Sequence, residues 1–156
     1  MVKFQIREQS KNLYTESKTS QGQRKGILLA GGHGTRLAPL TNVISKQLMP
    51  VYDKPMIYYS LTTLMLCAIK DILIVSDPVN INLYRQLLLD GSQWGINLSY
   101  AIQEKPNGVA QSILIWEEFI DRSPIAIALG DNIFHGNDLI SLLRSADSYE
   151  KGSTIF

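Results

Sequence analysis

The sequence predicts an α/β fold with a mostly parallel sheet and helices on both faces. Three features carry that expectation. Short apolar runs alternate with amphipathic stretches four times, the runs are rich in Ile, Leu, Val and Ala, and a glycine-rich turn follows the first run directly. Residues 26–30 (Gly-Ile-Leu-Leu-Ala) read as a buried strand that ends at Gly31 and Gly32. After a loop punctuated by Pro39, Pro50 and Pro55, the residues Ile57, Leu61, Leu64, Met65 and Ala68 recur at helical spacing. A second strand is expected over 71–75. A helix follows over 80–90, with Leu83, Leu87 and Leu88 on its apolar face and Gly91 just past its end. Residues 96–102 alternate as a third strand. A helix over 110–120 would bury Ile113, Trp116 and Ile120, and 125–129 (Ile-Ala-Ile-Ala-Leu) is a strand covered on both faces. A last helix over 138–146 presents Leu139, Leu142, Leu143 and Ala146, and 154–156 read as the opening of a fifth strand.

With 156 residues, 45% of them hydrophobic and 19% charged, the chain can bury a core that needs no staple. Cys67 is the only cysteine, so no internal disulfide is possible, and with His33 and His135 it makes no zinc set of recognisable spacing. A reducing cytoplasm is the expected location. The net charge of +1 removes the bulk electrostatic case for nucleic acid or an anionic membrane as partner, and no apolar run approaches the roughly 20 residues of a membrane span. Residues 1–24 differ from the rest: five basic residues face two acidic ones, Ser, Thr and Gln are frequent, and apolar periodicity is lacking. They are expected to form a flexible leader ahead of a single ordered unit over 25–156.

In open parallel sheets ligands bind beyond the carboxyl ends of the strands. Three motifs stand at such ends. The first strand runs into Gly31-Gly32-His33-Gly34-Thr35-Arg36, whose glycines let backbone N–H groups approach an anion, with Arg36 and Lys46 adding fixed positive charge. It is neither a dinucleotide fingerprint nor a P-loop, and a plain turn accounts for the glycines equally well. The third strand ends at Gln103, a donor and acceptor side by side that match the imide edge of a pyrimidine, in a segment that also reads as a Pro106-Asn107-Gly108 turn. The fourth ends at Asp131, placed either to hold Mg²⁺ or to cap a turn.

The strings over 25–37, 45–59, 91–100 and 129–134 resemble the glucose-1-phosphate thymidylyltransferases among the sugar nucleotidyltransferases. The resemblance covers 25–156, and through 46–59 it favours dTTP over UTP. It implies a Rossmann-like nucleotide-diphospho-sugar transferase fold, of which 25–156 would be the N-terminal, nucleotide-binding half. It also implies Mg²⁺-dependent transfer of a thymidylyl group from dTTP to glucose 1-phosphate, giving dTDP-glucose on the way to dTDP-rhamnose. Gly31, Gly32, Gly34 and Thr35 would enclose the nucleotide, Arg36 and Lys46 its phosphates, Gln103 and Gly108 the thymine, and Asp131 the metal. A homo-oligomer is implied where the full-length family interface is present. His33 stands where the family usually has serine, Ser60 where it has proline after the double tyrosine, and Ser112 where it has a small apolar residue. The family's chains run on for roughly as many residues again, so a truncated chain that binds nucleotide without turnover, or an inactive remnant, is the alternative expectation.

Overall fold

The computed structural model describes residues 23–32, 34–104, 116–148 and 152–156. In chain order these form β1 (Lys25–Leu29), β2 (Pro50–Val51), β3 (Lys54–Pro55), α1 (Ile57–Leu66), β4 (Asp71–Ser76), α2 (Ile81–Leu88), β5 (Asn97–Ile102), α3 (Glu117–Ile120), β6 (Ile125–Leu129) and α4 (Leu139–Asp147). Single 3₁₀ turns occupy Thr35–Leu37, Leu40–Asn42, Lys46–Leu48 and Ser92–Trp94.

Four strands make one parallel sheet in the order β5-β4-β1-β6. Because side chains alternate along each strand, Leu28, Ile72, Ile74, Ala126 and Ala128 share one face, and Ile27, Leu73, Val75 and Ala101 the other. Both faces carry helix among the described residues. On the first lie α1, α2 and α4 through Ile57, Leu61, Leu64, Tyr84, Leu88 and Leu143, all at most 1% exposed. The second is packed by Trp116, Phe119 and Ile120 around the single turn of α3. The floor of the sheet is tied by Arg24, which bonds Asp147 at the end of α4 and the Ile125 carbonyl. Arg24, reckoned with the leader, therefore belongs to the ordered unit; residues 1–22 lie outside the described residues.

The helices depart from their expected faces in specific ways. α1 stops at Leu66, and Ala68 turns outward with φ 59°, reversing the chain into β4. In α2 the buried set is Ile81, Tyr84 and Leu88, while Leu83 is exposed. The Tyr84 ring takes the core position because its hydroxyl finds buried partners. In α4, Leu143 and Ala146 are buried and Leu142 is exposed. Of the helix expected over 110–120 only Glu117–Ile120 is helical among the described residues; Ile113 and Ser112 lie outside them. The loop around the three prolines contains a short antiparallel ladder, Pro50 opposite Pro55 and Val51 opposite Lys54. Residues 154–156 pair with no strand among the described residues; Thr154 is buried there and Phe156 packs on the core.

Candidate active site

From β1 the chain crosses to β4 and β5 on one side, then returns to β6 on the other. The order of strands thus reverses beside β1, and at such a point the carboxyl ends of neighbouring strands open a crevice. Gly31 and Gly32 leave β1 exposed at that crevice. Gly34 has φ +54°, and a Cβ there would stand 2.7 Å from Thr41 Cγ2, so both conformation and space require glycine. Thr41 Oγ1 donates to the Gly34 carbonyl at 3.0 Å. Thr35 and Arg36 follow in an exposed turn, and Arg36 makes no hydrogen bond or ion pair with the described residues. His33 lies outside them.

The turn Lys46–Leu48 brings Lys46 Nζ to 2.9 Å from Asp131 Oδ2, joining the loop after β1 to the end of β6. Both side chains are about a third exposed (32% and 31%). A pair so open to water contributes about 1 kcal/mol or less to stability, so its consequence is placement of charge. The β6 side is held close by the Gly130 N–H, which donates to the Leu29 carbonyl at 2.8 Å. A Cβ on Gly130 would lie 3.0 Å from Gln47 Cγ and 3.1 Å from Leu29 O.

Beneath the loop is a buried polar network. Gln47 Nε2 donates to the Gly31 carbonyl at 3.3 Å, and its Oε1 accepts from Ser45 Oγ at 2.7 Å. The Tyr84 hydroxyl stands 2.6 Å from Ser45 Oγ, and Ser76 Oγ donates to the Ala30 carbonyl at 2.9 Å. Burial pushes the Tyr84 phenol up to about 12, so it stays a neutral hydrogen-bonding group. Two consecutive carbonyls at the start of the glycine loop are thereby fixed. Sequence reasoning gave no role to Ser45, Gln47, Ser76 or Tyr84. The available signal was polar residues interrupting apolar segments.

Gln103 follows β5, two strand spacings or about 10 Å from β1. Its Nε2 is buried and has no hydrogen-bond partner among the described residues. A buried donor without a partner is costly, and a ligand acceptor would satisfy it. A cavity of about 350 Å³ opens on the same edge, lined by Gly32, Thr41, Ser45, Asp77, Asn80 and Glu104 among others. That volume is in the range of small-molecule sites. Lys46 and Asp131 do not line it, although Ser45, next to Lys46, does. Gly108 lies outside the described residues. The structure therefore brings the glycine loop, Lys46 and Asp131 together, sets Arg36 at the loop's far end, and leaves Gln103 on the same sheet edge.

The family model described as nucleotidyl transferase matches residues 25–156. The chain belongs to the nucleotidyl transferase family. Among curated nucleotidyl transferases, it is 57% identical over 134 residues to the glucose-1-phosphate thymidylyltransferase of Xanthomonas campestris, covering 86% of this chain and 45% of that protein. To the enzyme of the same name from Neisseria meningitidis it is 52% identical, covering 85% of this chain and 46% of the relative. The chain thus spans about half the length of the curated relatives it matches. A solved Bacillus anthracis structure, a candidate glucose-1-phosphate thymidylyltransferase in complex with sucrose, superposes with a TM-score of 0.70 at 37% identity, over 76% of this chain and 48% of that one. A UDP-glucose pyrophosphorylase complexed with UDP-glucose follows at 0.66 and 27%, over 81% and 53%. The parallel sheet and its carboxyl-edge crevice are accordingly those of a nucleotidyl transferase. No helix among the described residues is long and apolar enough to cross a membrane.

Proposed function

We propose that residues 25–156 form the nucleotide-binding half of a glucose-1-phosphate thymidylyltransferase, with dTTP and glucose 1-phosphate as substrates and dTDP-glucose and pyrophosphate as products. The observation that carries the reading is the convergence at one crevice of an open glycine loop, a lysine and a carboxylate, with Lys46 Nζ 2.9 Å from Asp131 Oδ2. Relatives of that name at 57% and 52% identity support it. Cytoplasmic residence, a place in dTDP-rhamnose synthesis, and assembly into a homo-oligomer through the family's full-length interface belong to the same proposal.

In the reaction, a phosphate oxygen of glucose 1-phosphate attacks the α-phosphorus of dTTP in line and pyrophosphate leaves. The attacking oxygen is already anionic at neutral pH, so no protein base is needed to activate it. The chain's task is alignment and neutralisation of charge. Backbone N–H groups of Gly31, Gly32, Gly34 and Thr35 would receive the phosphates, with Arg36 and Lys46 as fixed cations. Gln103 and Gly108 would read the thymine, a role that would give an acceptor to the Gln103 amide, which has no partner among the described residues.

Asp131 suits Mg²⁺. Among the described residues no three His, Cys, Asp or Glu side chains converge, and a single carboxylate fits a hard cation that completes its shell with phosphate oxygens and water. When bound, Mg²⁺ would supply further neutralisation of phosphate charge. Lys46 holds the Asp131 carboxylate toward the loop where the phosphates would lie. Because the chain spans 45% and 46% of two relatives, a half-site that binds dTTP without turnover is the second reading.

Thermal unfolding of the whole chain with and without dTTP and Mg²⁺ tests the proposal. At a hundredfold excess over Kd, a ligand confined to the native state adds about 2.7 kcal/mol, which for a chain of this size raises the melting temperature by about 5–10 °C. The expected result is a cooperative transition that rises with dTTP and not with ATP. Equal shifts with both nucleotides, or none, overturn the thymidylyl reading; a shift without turnover of glucose 1-phosphate selects the second.

A further inference from the structure

α1 lies over the carboxyl end of β6, and one hydroxyl reaches from it to the chain on either side of Asp131. Ser60 is wholly buried (0% exposed). Its Oγ is 2.9 Å from the Leu129 carbonyl and 2.8 Å from the Asn132 carbonyl, so one proton is shared between two acceptors that bracket Gly130 and Asp131. Leu129 O also accepts the Asn132 N–H at 3.1 Å, which closes the turn on itself. Asn132 O has no donor other than Ser60 among the described residues.

The turn is also confined from the opposite side. Its Gly130 N–H is bonded to Leu29 O, and Gln47 Cγ sits so close that an added Cβ on Gly130 would be 3.0 Å away. Between those two supports stands Asp131, whose Oδ2 accepts from Lys46 Nζ at 2.9 Å. A buried hydroxyl could serve its own helix instead, as Thr63 does one turn on, donating to Tyr59 O at 3.0 Å. Ser60 spends its proton across the interface.

We propose that Ser60 is a positioning residue, whose hydroxyl fixes the turn 129–132 so that the Asp131 carboxylate faces Lys46 and a divalent cation. The cation part rests on the function proposed above; the fixing of the turn stands without it. The test uses the whole chain, with Ser60→Ala against Thr63→Ala, a variant that loses a buried hydroxyl on the same helix with no tie to the turn. Amide hydrogen exchange reads the turn through the Gly130 and Asn132 N–H groups, and calorimetry reads the Mg²⁺ concentration that half-saturates dTTP binding.

Ser60→Ala is expected to speed exchange at both amides about tenfold and to raise the Mg²⁺ requirement at least threefold, with dTTP binding in EDTA changed less than twofold. Thr63→Ala is expected to move none of these. Wild-type exchange rates at Gly130 and Asn132 in Ser60→Ala, or an equal rise in Mg²⁺ requirement in Thr63→Ala, overturn the proposal. If Ser60→Ala does not fold, Ser60→Cys, a near-isostere and weaker donor, is expected to give intermediate exchange, and wild-type exchange there is equally fatal. Wild-type protein that binds no dTTP at any Mg²⁺ concentration refutes the functional reading, and the exchange result alone then decides whether Ser60 holds the turn.

Discussion

Single residues divide here into those that bear on ligand and those that bear on the fold. Arg36 is exposed and bonded to no described residue, so removing it takes nothing from the core. Arg36→Ala should move the melting temperature by about 2 °C or less, since exposed substitutions typically stay within about 0.5 kcal/mol. On the proposed function, losing the phosphate contact assigned there to Arg36 should at the same time weaken dTTP binding about tenfold or more. Thermal scans and calorimetry check the two halves of that expectation, and a loss of folding would reassign Arg36 to structure. Cys67 is the opposite case. Burial pushes its thiol up to about 11 from 9.0, so the folded chain holds a proton that the unfolded chain releases above pH 9. Stability contributed by the neutral thiol is therefore whole below pH 9 and lost as pH rises through about 11. Melting temperatures recorded from pH 8 to 11 should fall, and the fall should be shallower in Cys67→Ala. Tyr84 and Tyr100, both pushed up to about 12, extend the loss above pH 10 in either protein.

At the level of elements, strands were easier to read than helix faces. All four strands of the parallel sheet stand within a residue or so of where the sequence put them, β1, β4 and β6 because their central runs are apolar and the edge strand β5 because it alternates. Helix faces depend on which residue finds a partner. In α2, Leu83 and Tyr84 compete for the core, and no pattern of apolarity reveals that Ser45 and Gln47 wait to bond a phenol. The glycine loop, Lys46 and Asp131 were legible because glycine, charge and position after a strand are all written locally. The network beneath them was not, since its members are contributed by four separate segments. Gly91, expected past the end of α2, is there with φ +83°, and a Cβ would meet Ile96 Cγ1 and Leu98 Cγ at 2.8 Å each. Gly91→Ala combines strain with overpacking and should cost about 1–3 kcal/mol in denaturant unfolding; a cost under 0.5 kcal/mol would mean the turn into β5 adapts freely.

Across the whole molecule, the alternation of strand and helix sufficed for the α/β class, but the strand order β5-β4-β1-β6 did not follow from it. The parallel register has a further consequence, in time. Lys25 to Leu29 of β1 pair with Ile125 to Leu129 of β6 at the far end of the described chain, whereas β4, the other neighbour of β1, is much nearer in sequence. A chain made from its N-terminus can close the β1–β4 ladder early, while long-range parallel pairing comes late and slowly. The glycine loop is thus assembled on one side well before Asp131 arrives on the other. Appearance of the Lys46–Asp131 ion pair would accordingly be a late event in folding, a local clock for completion of the sheet.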